Sequence, residues 1–139
     1  MAYSYPTRVR NSNGTYGPTG RLHYYKPVSY HNPTALPRTD KTRWKLKEPQ
    51  QYEVFRVADE DYEKYIDEQG GLYGFLNQME EVLGKDGEER IAYFPNPGTN
   101  PWHGYPIDSE NIEDDIIERW NDNGLITKRV YLQLSKHRI

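Results

Sequence analysis

Cysteine is absent from the 139 residues, and its absence removes disulfides, thiolate nucleophiles and cysteine-ligated zinc at once. The chain makes no demand on an oxidising compartment, so the expectation is a cytoplasm. Long apolar runs are missing too: nowhere do about eighteen apolar residues follow one another, and residues 1–10 have no apolar h-region. Neither a membrane span nor a signal peptide is expected. Hydrophobic residues make up only 35 % and mean hydropathy is -1.05, low for a chain that packs throughout.

Motifs that carry chemistry are also scarce. There is no phosphate loop, no G-x-G-x-x-G and no G-x-S-x-G; Thr15 to Gly20 contains glycines but lacks a strand before it and a helix after it, so it reads as a turn. The four histidines, His23, His31, His103 and His137, show no ligand spacing. No metal and no cofactor are expected. The acidic clusters Asp59 to Glu63 and Glu113 to Asp115 fall at predicted helix starts, where carboxylates complement the helix dipole.

What the chain does have is aromatic surface and an uneven charge. Thirteen Tyr and three Trp bury large areas while keeping a polar tip, which suits interfaces as well as cores. Net charge is -3, but residues 1–50 stand at +7 and the remaining residues at -10. The length fits one domain and one core.

The pattern divides this domain into an extended, Tyr- and Pro-rich basic arm, 1–49, and an acidic α+β body, 50–139. Turn signals at Asn13-Gly14, Gly17-Pro18, Asn32-Pro33 and Leu36-Pro37 keep the arm from a helical period, and alternation at 22–25 and 43–47 predicts edge strands that it adds to the body. In the body, 52–57 reads as a buried strand and Asp59 as the N-cap of a helix ending at Gly70-Gly71. Leu72, Phe75, Leu76, Met79, Val82 and Leu83 read as the apolar stripe of a second helix, and 89–94 as a second strand. The resulting β-α-α-β order predicts parallel pairing. A proline-rich loop, 95–106, leads to a helix from about 108 to 123 with Ile112, Ile116, Ile117 and Trp120 inward. The tail, with Ile126, Val130 and Leu134 in helical spacing, is read as a second C-terminal helix.

Two regions are candidates for function. In the loop, Trp102, His103 and Tyr105 follow a predicted strand end, so His103 is the candidate acid-base of a small metal-independent hydrolase or nuclease. The plainer reading is that Trp102 and Tyr105 pin the loop to the core while His103 caps a backbone carbonyl. In the arm, Arg8, Arg10, Arg21, Lys26, Arg38, Lys41, Arg43, Lys45 and Lys47 interleave with Tyr24, Tyr25 and other rings, a combination that suits single-stranded nucleic acid. The same arm, facing an acidic body, suits docking on that body, on a neighbouring copy or on another protein. The expectation drawn is a non-enzymatic binding or regulatory protein that engages a macromolecule, and no membrane, through Arg8, Arg10, Arg21, Tyr24, Tyr25, Lys26, Trp102, His103 and Tyr105.

Overall fold

In the computed structural model, which describes residues 3–37, 42–137 and 139, three α-helices and a three-stranded sheet form a mixed α+β architecture. The elements are α1 (Glu48–Glu60), β1 (Leu72–Gly74), β2 (Ile91–Phe94), β3 (Tyr105–Ile107), α2 (Asp114–Asp122) and α3 (Lys128–Ser135). Short 3-10 turns lie at Ser29–His31, Tyr62–Lys64 and Asn77–Met79. No helix of the described residues is long and apolar enough to cross a membrane.

The segment 52–57, expected to be a strand, is the middle of α1. Pro49 sits in its first turn, where the missing N–H costs nothing, and the Gln50 side chain accepts from the Lys47 N–H at 3.0 Å. The helix lacks a legible polar stripe because it is covered on two sides: Gln51, Tyr52, Val54, Phe55, Ala58 and Asp59 are all buried. Val54 packs toward Gly74 of β1, where a Cβ would stand 2.9 Å from Val54 Cγ1, so a side chain there would hold helix and sheet apart. The arm covers the other side, with the Tyr16 ring 6.0 Å from that of Tyr52. Asp59 is therefore not an N-cap. It lies near the C-terminal end of α1, fully buried, and the helix expected after it is only the turn Tyr62–Lys64.

Residues 72–83, expected to be an amphipathic helix, begin instead as β1. Leu72, Tyr73, Phe75, Leu76, Met79 and Leu83 are indeed buried, but from both faces of an extended chain. Positive φ at Asn77, Gln78 and Met79 then stops any helical continuation. With no helix between β1 and β2, nothing carries the chain back to the same end of the sheet, and the pairing is antiparallel in the order β1-β2-β3. The parallel β-α-α-β arrangement is thus replaced by helix, three antiparallel strands, then two helices.

The arm adds no strand to the sheet among the described residues. It makes isolated bridges instead, Tyr16 to Tyr25, Tyr25 to Trp102 and Trp44 to Gly84. Even so, Tyr16, Tyr25, Trp44 and Leu46 belong to the same core as the body. Arg38 and Lys41 lie outside the described residues.

The C-terminal reading fares better. Ile112, Ile116, Ile117 and Trp120 are buried as expected, although α2 starts only at Asp114 because Ser109 to Ile112 forms a turn. The tail is helical, with the Thr127 hydroxyl capping Val130 N–H at 3.2 Å. The loop 95–106 gives up its last two residues to β3, where Pro106 is tolerated on an edge strand.

Candidate functional site

Strand alternation gives the sheet two faces. On one, Leu72 pairs with Phe94 and Gly74 with Ala92; these residues are buried, and Gly74 meets α1. On the other, Tyr73 of β1 stands opposite Tyr93 of β2, and Tyr93 stands opposite Tyr105 of β3. Direct cross-strand partners on one face are close enough to touch. The ring centroids are 5.0 Å apart for Tyr73 and Tyr93 and 6.5 Å for Tyr93 and Tyr105. The arm continues the row: His31 stacks on Tyr105 at 5.2 Å with 18° between the planes. His31 is held in place by its Nδ1, which donates to the Thr42 carbonyl at 2.5 Å.

Trp120 of α2 packs edge-on against Tyr73, 5.8 Å away, and closes the β1 end of this face. Over the rest lies a cleft of about 500 Å³, lined by His31, Thr42, the three tyrosines and residues 106–108, 111 and 112. Its size falls within the roughly 300–1,000 Å³ of ligand pockets. The Thr42 hydroxyl donates to the Pro106 carbonyl at 2.7 Å, so the arm also fastens the outer edge of β3.

Two of the cleft's hydroxyls are tied to carboxylates. Tyr93 donates to Asp67 Oδ2 at 2.5 Å, and Tyr73 stands 3.5 Å from Glu113 Oε2. Burial, reinforced by Glu113, pushes the Tyr73 phenol up to about 12. Burial and then the Asp67 hydrogen bond raise Tyr93, and burial raises Tyr105. All three remain neutral donors at physiological pH, which suits recognition more than nucleophilic attack. Among the described residues no group of three or more His, Asp or Glu is arranged to hold a metal ion.

Of the residues singled out from the sequence, Tyr105 alone lines this cleft. The arm's arginines face acids of α1: Arg8 is 3.4 Å from Glu53, Arg10 3.5 Å from Glu48, and Arg21 3.1 Å from Asp59. Asp59, with no exposed surface, also accepts from Thr19 at 2.5 Å and from His23 at 2.9 Å. Tyr25 is fully buried and donates to Gln51 at 2.8 Å, and Trp102 is buried against Phe55 at 5.5 Å. Backbone bonds lace arm to loop, from Trp102 N–H to the Tyr24 carbonyl and from Lys26 N–H to the Trp102 carbonyl. Tyr24 itself is half-buried and Lys26 exposed. His103 is exposed outside the cleft, its Nδ1 donating to the Lys26 carbonyl at 2.8 Å.

The cleft residues that sequence reasoning missed are His31, Thr42, Tyr73 and Asp108. The one signal available was the spacing that leaves a tyrosine at the same depth in 72–74, 91–94 and 105–107, and it is legible only once 72–74 is read as a strand. Comparison with family models, with curated proteins and with solved structures gives no match for this chain.

Proposed function

We propose that this protein is a non-enzymatic binding module that docks on a macromolecular partner through the tyrosine-lined cleft, where the N-terminal arm, the 95–106 loop and the sheet converge. One observation carries the reading: three cross-strand tyrosines and a stacked histidine form a continuous aromatic row on a sheet face that α2 covers only at its β1 end. Rigid aromatic rings with polar tips are the residues that dominate binding energy at interfaces. Tyr105 contributes the loop's part, and His31 and Thr42 contribute the arm's.

The partner is engaged by its side chains. Strand addition at β3 is disfavoured, because Pro106 has no N–H to offer and its carbonyl already accepts from Thr42. The arm's role is to complete and hold the site, and its arginines work against the body's acids.

The test is photo-crosslinking in extract of the source cells, with a photoreactive phenylalanine analogue replacing Tyr105 or, as control, the exposed Leu132 of α3. A discrete adduct from position 105 and none from position 132 is expected. No adduct from 105, or the same adducts from both positions, contradicts the reading.

A further inference from the structure

The chain twice pairs an arginine with a tyrosine ring and a carboxylate. Arg21 lies 3.8 Å from the Tyr62 ring centroid and 3.1 Å from Asp59 Oδ1; Arg8 lies 5.5 Å from the Tyr52 ring centroid and 3.4 Å from Glu53 Oε1. A guanidinium is planar and weakly hydrated, so it stacks on an aromatic face while its N–H groups meet an acid at the ring's edge. These two sites join arm to body within the chain.

Among the described residues the cleft contains the same parts without the cation. Its tyrosines offer tilted faces, 48° between Tyr73 and Tyr93 and 70° between Tyr93 and Tyr105. Carboxylates meet its side chains: Asp108 lines it directly, and behind its tyrosines Asp67 accepts from the Tyr93 hydroxyl and Glu113 lies 3.5 Å from that of Tyr73. No Lys or Arg is among the described residues lining it. These acids would repel a phosphate backbone and attract a cation.

We infer that the cleft takes an arginine side chain presented by a protein partner, the guanidinium lying on the tyrosine row with its N–H groups directed to the carboxylates. The inference rests on the docking reading above and gives the partner's chemistry. It accounts for two features together: the hydroxyls of Tyr73 and Tyr93 are turned to acids, and Tyr93 and Tyr105 stay only half-buried while Tyr73 is covered by Trp120.

The experiment titrates the full-length protein with short capped peptides that differ at one position, arginine, citrulline, lysine or glutamate, and with oligouridylate. Tyrosine ring and amide NMR shifts are followed. The arginine peptide is expected to shift Tyr73, Tyr93 and Tyr105 and to bind about tenfold tighter than its citrulline counterpart, which has nearly the same shape without the charge. Tyr93→Leu should lower that affinity about tenfold and Asp108→Asn about threefold, the latter with the same set of shifted tyrosines. Equal binding of arginine and citrulline, tighter binding of oligouridylate, or no arginine-dependent shift at these tyrosines overturns the inference. If the position-105 adduct forms while the arginine peptide fails, docking stands and the arginine assignment falls; if the adduct is also lost, both fall.

Discussion

The two faces of the sheet use the same strands and nearly the same residue types to opposite ends. Phe94 and Tyr93 are neighbours in β2, both aromatic, yet Phe94 has no exposed surface and touches Tyr25, Phe55 and Trp44, whereas Tyr93 is half-buried and ends on a carboxylate. At Gly104 a Cβ would stand 2.1 Å from the Phe94 ring, and at Gly74 it would meet Val54, so the first face closes around small residues. On the second face Gly71 likewise lies against the Tyr93 phenol and Trp120 covers Tyr73, yet Tyr93 and Tyr105 keep exposed area. Aromatic content alone therefore does not mark a binding surface; what marks it is where the polar tips find partners.

This contrast predicts first that Phe94→Ala costs about 4 kcal/mol in urea unfolding, the usual range for deleting a buried phenylalanine, while Tyr93→Ser costs roughly 1–2 kcal/mol, a lost hydrogen bond plus partial burial. Comparable losses at the two positions would erase the distinction between the faces. Next in size, Asp59→Asn is expected to cost about 2 kcal/mol. It removes the charge at which Thr19, Arg21 and His23 converge, and the value is reduced because Arg21 is a third exposed. Unchanged urea unfolding in that variant would mean that the arm is not held by its charges.

A further effect is alkaline. Burial pushes the phenols of Tyr65, in the core, and Tyr73, on the cleft face, from 10.0 up to about 12. The folded protein holds these protons more tightly than the unfolded chain. Their contribution to stability is accordingly complete below pH 10 and is lost as pH rises from 10 through about 12. Tyr73→Phe should blunt that loss, followed by unfolding midpoints across pH alongside tyrosinate absorbance. A pH dependence identical to wild type would remove Tyr73 from the account.

How much of this was legible in the sequence depends on which residues are covered on how many sides. Helices α2 and α3 have one buried stripe each, Ile116, Ile117 and Trp120, then Val130 and Leu134, and their periodicity is plain. Helix α1 lies between sheet and arm, so Tyr52, Val54 and Phe55 are all buried and the run imitates a strand. Residues 72–76 are buried from both faces, and the accident of Leu72, Phe75 and Leu76 imitates a helix. The arm's tie to the body follows from its charge, and ion pairs such as Arg8 to Glu53 and Arg21 to Asp59 make it, but single bridges stand where added edge strands were expected. In the cleft, Tyr105 could be named from its loop, whereas Tyr73 and His31 acquire their place only through pairings across 20 residues and more. Tyr25 and Trp102, singled out for the same aromatic character, are core residues.

The central claim is that one face of this sheet is a site and the other a core, and the most direct measurement combines both halves of it in one variant. With the photoreactive residue at position 105, Tyr93→Ser is compared with the unsubstituted protein for thermal unfolding and for yield of the partner adduct. The account predicts a melting temperature lowered by only a few degrees, as roughly 1–2 kcal/mol implies for a chain of this size, and an adduct reduced at least about tenfold. A Tyr93→Ser protein that folds and gives the adduct in full, or one that fails to fold, would contradict it.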